Sequence, residues 1–218
     1  MNATSLSRRL AGVLMLLAMC LAALPAIAQA NTPEQMIRDS VDELMGNIEG
    51  RKDYYREHPG ELEAVVDDSL EQVADFRYIG ASVMGRYFRN ASPSQRSRFV
   101  DTFRQTLIDT YAKGLVTFDY QDIRVLENQD ASRYEDQASV EMEVVASDGT
   151  VYPVSYSLRQ DDGQWKVVNV IVNGINLGLT FRNQFDQAMR DQSRDYDAVI
   201  DGWAPELAVE ELEQGDEG

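Results

Sequence analysis

The chain has 218 residues, with 20 Lys and Arg against 37 Asp and Glu, one His and one Cys, for a formal net charge of −17 and a sequence pI near 4.4. That charge repels phosphate backbones and argues against nucleic-acid binding through a basic surface. An apolar fraction of 44% with 26% charged residues fits a globular domain, and the single thiol, Cys20, falls in a segment expected to be removed, which excludes disulfides, thiolate catalysis and Cys-based zinc sites from the mature chain.

Arg8 and Arg9 precede the uncharged apolar stretch Leu10 to Leu24, followed by Pro25 and the small-residue pattern Ala26-Ile27-Ala28-Gln29-Ala30. These are the three parts of a secretory signal peptide, so residues 1–30 are expected to be cleaved after Ala28 or Ala30. Fifteen apolar residues are too few to span about 30 Å of hydrocarbon, and no second apolar run follows. Leu17-Ala18-Met19-Cys20 approaches a lipoprotein box, but the bulky Met19 stands where a small residue is needed. Cleavage removes two arginines and no acid, leaving 18 bases against 37 acids, or −19. Such a surface suits a salty exterior, where screening tames self-repulsion.

Thr32-Pro33-Glu34-Gln35 and Ser92-Pro93-Ser94-Gln95 each put a hydroxyl at a helix cap, Pro at the first helical position and Gln in place to complete a capping box. After the first, Met36, Ile37, Val41, Leu44, Met45 and Ile48 recur at helical spacing until Gly50. After the second, Phe99, Phe103, Leu107, Tyr111 and Leu115 form a stripe at four-residue steps. Two shorter helical segments, Glu61 to Ala74 and Phe76 to Arg89, lie between them. The first half is therefore expected to be all helix.

From Thr117 the apolar period changes from 3.6 to 2, the mark of a switch to sheet. Strands are expected over Asp119–Leu126, Gln137–Ser147, Thr150–Gln160 and Gln164–Asn173, as an antiparallel meander. Asp148-Gly149 reads as a tight turn and Asp161-Asp162-Gly163 as a slightly longer one. Val140, Met142 and Val144 alternate with Ser139, Glu141 and Glu143, and Tyr152, Val154, Tyr156 and Leu158 repeat the pattern, so one sheet face is apolar and one wet. The fourth strand, Val167 to Val172, is apolar on both faces apart from Asn169 and reads as central and doubly covered. A last helix carries Leu177, Phe181, Phe185 and Met189 along one side, and a short helix follows from Tyr196 to Leu207. One domain over 31–212 is expected, with an acidic disordered tail over 206–218 that holds six acids and no base.

The catalytic inventory is thin. His58 sits in the helix-breaking run Glu57-His58-Pro59-Gly60 and reads as a solvent-facing loop residue. No G-x-S-x-G elbow is present, Gly80-x-x-x-x-Gly85 lacks the Lys of a phosphate loop and reads as close helix packing, and no calcium-loop pattern occurs. No catalytic residue and no metal site is expected. Apolar and aromatic supply is what stands out.

The run Tyr78-Ile79-Gly80-Ala81-Ser82-Val83-Met84-Gly85-Arg86-Tyr87-Phe88, continuing through Ala91-Ser92-Pro93-Ser94-Gln95-Arg96 to Phe99 and Phe103-Arg104, resembles the periplasmic phospholipid-binding MlaC family. A second block agrees: Trp165-Lys166-Val167-Val168-Asn169-Val170-Ile171-Val172-Asn173-Gly174-Ile175-Asn176-Leu177, then Phe181-Arg182-Asn183-Gln184-Phe185. Asn173 departs from the acidic residue usual before that glycine, and the acidic tail is an addition.

The resemblance implies an α+β fold in which N-terminal helices precede a curved four-stranded antiparallel sheet. That sheet is similar to nuclear-transport-factor-2-like cones and is wrapped by helices around a deep apolar pocket. It further implies a monomeric periplasmic shuttle with no cofactor, whose cargo is phospholipid. Its implied partners are an outer-membrane lipoprotein associated with a porin and an inner-membrane ABC transporter bearing a ring of MCE domains. The implied role is to preserve outer-membrane lipid asymmetry, with retrograde movement favoured. On face and period, the expected pocket lining is Val83, Tyr87, Phe99, Phe103, Leu107, Tyr111, Val140, Met142, Val144, Val154, Tyr156, Leu158, Val170, Leu177, Phe181 and Phe185. The headgroup is expected to stay in water at the mouth, with no basic clamp. Two alternatives remain open: an enzyme acting on a small apolar substrate, with Tyr156 beside Asp119 or Asp122, and an exported chaperone or adaptor.

Overall fold

Helix α1 (Pro33–Ile48) begins as its sequence dictates, with Thr32 accepting a hydrogen bond from the Gln35 backbone N–H at 3.2 Å and Pro33 in the first turn. The computed structural model describes residues 32–127 and 134–205, apart from the Tyr111 side chain. The expected signal segment 1–30 and tail 206–218 lie outside the described residues. The expected capping box forms fully only at the second site. There Ser92 and Gln95 exchange both bonds at the start of α5 (Pro93–Tyr111), whereas the Gln35 side chain turns to Asp39 instead.

Between α1 and α5 lie α2 (Lys52–Glu57), α3 (Pro59–Val73) and α4 (Phe76–Met84), the last closing in a 3-10 turn over Gly85–Tyr87. A short α6 (Gly114–Thr117) follows α5. Neither α2 nor α6 was legible in the sequence, because six and four residues are too short to show a helical period. The sheet has β1 (Tyr120–Val125), β2 (Gln137–Ala146), β3 (Val151–Asp161), β4 (Gln164–Val172) and a two-residue β5 (Ile175–Asn176), antiparallel in the order β1-β2-β3-β4-β5. Five strands stand where four were expected. The strand β4, read as central, is instead next to last. One of its edges carries only β5, and at its start a parallel bridge from Ala74 to Val167 and a bond from the Asp75 N–H to the Val167 carbonyl (3.0 Å) supply further partners. Its two-sided apolarity has a different cause: α3, α4 and α7 (Leu177–Asp191) all pack on it.

The turn expectations are inverted. Asp162 and Gly163, both at positive φ, form the tight two-residue hairpin between β3 and β4, while the β2–β3 connection spans residues 147–150, with Asp148 accepting from the Thr150 N–H at 2.9 Å. Asn173 (φ 50) and Gly174 (φ 86) make a second left-handed pair between β4 and β5. Asn tolerates that region better than most residues, so the departure at 173 suits the backbone.

The core divides into three clusters. The largest joins α4, α5, α7 and α8 (Tyr196–Asp201) around Phe99, Phe103, Phe181, Phe185 and Trp203, with ring centroids 4.8 Å apart for Phe99 and Phe185 and 5.4 Å for Phe103 and Phe181. The second gathers Ile48, Tyr55, Leu62, Val66, Ile108, Ala112 and Val116, and the third presses Ile37 of α1 onto Val140, Leu158 and Val167 of the sheet. Gly80 lies where α4 and α5 touch: a Cβ there would meet Val100 Cγ2 at 2.7 Å. Close packing, as expected for this glycine, is its role. Gly80→Ala is therefore predicted to destabilise the fold by about 1–3 kcal/mol through overpacking, and urea unfolding reads this; an unchanged midpoint would show that α4 yields freely.

Candidate functional site

Helix α1 crosses the apolar face of the sheet and is fixed at both ends. Ile37, 3% exposed, belongs to the sheet cluster and Ile48, 0% exposed, to the second helical cluster. The two anchors lie about 16 Å apart along the helix axis. Between them Val41, Leu44 and Met45 line a cavity of about 470 Å³, Val41 also packing on the sheet cluster and Leu44 on the second helical cluster. Its other walls are Gly114, Leu115 and Phe118 at α6, Tyr120 and Ile123 on β1, Met142 and Val144 on β2, Tyr152, Val154 and Tyr156 on β3, and Val172 on β4. No Asp, Glu, Lys, Arg or His lines it among the described residues.

Among the described residues, the three tyrosines bring the only side-chain oxygens to this wall. Tyr156 is the deepest; its hydroxyl has the Met142 sulfur at 4.0 Å as its contact, and burial pushes the phenol from its ordinary 10.0 up to about 12. The Tyr120 phenol is also raised, first by burial and then by the Glu49 carboxylate. Neither acid once paired with Tyr156 as a possible base reaches it: Asp122 accepts from Arg124 at 2.7 Å, and Asp119 does not line the cavity. His58 is exposed, stacked on Tyr54 at 4.1 Å. No group of His, Cys, Asp and Glu suited to a metal ion occurs among the described residues, and no described helix is long and apolar enough to cross a membrane.

Of the expected lining residues, Met142, Val144, Val154 and Tyr156 meet at this cavity. Val83, Tyr87, Phe99, Phe103, Phe181 and Phe185 instead belong to the largest helical cluster, with Leu107 and Leu177 packed against it. Val140 and Leu158 lie under Ile37 in the sheet cluster, with Val170 beside them. The Tyr111 side chain is outside the described residues. The walls supplied by α1, α6 and β1 were not anticipated, although the periodicity of Val41, Leu44 and Met45 was visible. A second, larger concavity of about 640 Å³ on the other sheet face mixes apolar side chains, among them Val83, Leu158 and Leu179, with Gln137, Ser139, Ser157, Arg159, Asn169 and Arg182. A hydrocarbon chain there would have to desolvate two arginines and several amides and hydroxyls, so the smaller apolar cavity is the better site for an apolar ligand.

A helix anchored at both ends across a sheet, with an apolar cavity left between them, is a fold that can enclose an apolar ligand. The MlaC protein family matches residues 38–205, and the chain belongs to that family. It is 39% identical over 192 residues to the toluene tolerance protein ttg2D of Pseudomonas putida, covering 86% of this chain and 87% of the relative. It is 23% identical over 156 residues to the intermembrane phospholipid transport system binding protein MlaC of Haemophilus influenzae, covering 70% and 72%. The fold is also that of a phospholipid-binding protein from Ralstonia solanacearum solved in complex with a phospholipid, with a TM-score of 0.70 at 23% identity over 77% of this chain and 92% of that one.

Two outcomes follow from this geometry. Ile37→Ala and Ile48→Ala each remove a buried anchor and are expected to cost about 2–5 kcal/mol in urea unfolding; a loss near zero at either would show that α1 is held elsewhere. Tyr156 contributes to the alkaline behaviour. Below about pH 10 its phenol is neutral folded and unfolded alike, so it adds no slope. Between pH 10 and about 12 the unfolded chain releases the proton and the folded one retains it, so stability falls as pH rises, by at most about 1.4 kcal/mol per unit. Tyr156→Phe should flatten that part of the slope; equal slopes in both proteins would refute the assignment.

Proposed function

We propose that this chain is a periplasmic phospholipid carrier of the Mla pathway, holding acyl tails in the cavity between α1 and the sheet. The observation that carries the reading is the cavity wall, apolar throughout except for three tyrosine hydroxyls. Membership of the MlaC family, the phospholipid-transport name of the Haemophilus relative and the phospholipid bound to the Ralstonia protein support it. Each buried methylene contributes about 0.8 kcal/mol, so two acyl chains exposed to water represent roughly 20 kcal/mol, and a carrier must enclose them. Met45 and Met142 on opposite walls suit tails of varied length, because the unbranched thioether side chain repacks readily. The sheet then acts as the open cone of a nuclear-transport-factor-2-like fold, its mouth filled by lipid and no catalytic group engaged.

Residues 1–30 would act as the export signal, and the mature charge of −19 disfavours adsorption to anionic bilayers. Loading and unloading are accordingly assigned to docking on an outer-membrane lipoprotein–porin complex and an inner-membrane ABC transporter with an MCE ring.

Native mass spectrometry of protein purified from the periplasm without detergent is expected to show discrete added mass matching phospholipid, and bare protein after incubation with liposomes would overturn the reading. Val144→Trp and Leu115→Trp, which fill the cavity from opposite walls, are each expected to lower that occupancy while the melting temperature holds. Transfer from the loaded protein to bare anionic liposomes should be slow; rapid partner-independent transfer would remove the docking requirement.

A further inference from the structure

Two segments that help wall the cavity carry, or lie against, lysines in a chain with few of them. Lysine occurs at only three positions, 52, 113 and 166, and two of them adjoin wall residues of the cavity, one in space and one in sequence. The Lys52 ammonium lies 4.3 Å from the centroid of the Tyr120 ring, and that ring is part of the cavity wall. Lys113 is exposed and directly precedes Gly114, another wall residue. The two segments are tied together, since α2 packs on α6 and the Arg56 guanidinium donates to the Val116 carbonyl at 2.8 Å. Arg51, beside Lys52, lies over the rings of Tyr54 and Tyr55 at 4.9 and 4.7 Å.

No ion pair engages Arg51, Lys52 or Lys113 among the described residues, although acids outnumber bases almost two to one. The acids nearby are accounted for in part: Asp53 pairs with Arg56, and Glu49 faces the Tyr120 phenol. Lys166, the third lysine, is by contrast spent on the Gln72 carbonyl, away from the cavity.

We infer that Lys52 and Lys113 form a seat for a phosphodiester at the mouth of the cavity, so that the protein selects lipids by the phosphate next to their tails. This rests on the carrier reading and replaces the expectation of a mouth without basic groups. A phosphate there would be held by partly hydrated cations, giving selectivity rather than most of the affinity. The tails supply the affinity.

The test offers the intact mature protein equimolar phosphatidylglycerol and diacylglycerol with identical acyl chains in mixed vesicles, and reads the captured lipids by native mass spectrometry. Wild type is expected to prefer phosphatidylglycerol. K52E/K113E should lose about fivefold of that preference while total lipid occupancy stays level, with K52Q/K113Q intermediate and K52R/K113R retaining it. An unchanged preference in both the Glu and Gln pairs, or its loss in the Arg pair, would overturn the seat. Excess inorganic phosphate that abolished the preference of the wild type would assign the cations to free phosphate and overturn the lipid assignment. Wild-type protein that captured neither lipid would bring down the carrier reading itself, a result distinct from capture without selectivity.

Discussion

An apolar cavity persists only where its walls are prevented from closing on it, because an empty void costs on the order of 24 cal/mol per Å³ and side chains relax to fill it. Here the restraint is the double anchoring of α1. Ile37 is fixed against Val140, Leu158 and Val167, and Ile48 against Tyr55, Leu62 and Ile108. A continuous helix between two fixed points cannot sag toward the sheet, so Val41, Leu44 and Met45 stay at the distance that leaves the cavity open. The dense packing elsewhere serves this end. The aromatic cluster of Phe99, Phe103, Phe181, Phe185 and Trp203 fixes α4, α5 and α7 to one another and, through α7, to β4.

That division explains what was legible in the sequence and what was not. Strand limits came out within a residue or two, because Val140-Glu141-Met142-Glu143-Val144 and its partner Tyr152 to Leu158 alternate cleanly and every tertiary contact agrees with the local preference. Helix α5 was marked by its own cap. The cavity was only partly visible, since an apolar stripe reports that a face is buried and not what lies against it. Phe99 and Phe185 on one hand, Val154 and Leu44 on the other, carry the same signal, yet the first two meet each other and the second two meet a void. Nothing local separates a wall from a core. The place of β4 was misread for a related reason: three helices covering it produce the same two-sided apolar pattern as a central position.

Asn169 shows how a single polar residue can serve the fold within such a strand. Its side-chain oxygen accepts from the Gly178 N–H at 3.0 Å, and Asn176 accepts from the Leu179 N–H at 3.0 Å. Together they satisfy two of the otherwise orphaned donors at the start of α7. The close approach requires glycine at 178, where a Cβ would collide with the Asn169 amide oxygen. The segment from Asn169 to Gly178, which overlaps the second block that resembles the family and extends one residue past it, thus reads as a joint: it sets the angle at which α7 leaves the sheet, and so where the aromatic cluster forms.

Charge and cavity then act on different parts of the same cargo. The apolar wall responds to hydrocarbon and scarcely distinguishes one tail from another, since a methylene more or less changes the free energy by about 0.8 kcal/mol. Discrimination has to come from groups that meet the lipid where the tails end. The acidic surface turns away anionic membranes at long range within about a Debye length, while Lys52 and Lys113 act at contact distance on a lipid already seated. On the proposed reading, a carrier organised in this way is repelled by the bilayer as a whole and attracted to the one molecule it holds, which is why a docking partner that presents the lipid singly is assigned to it.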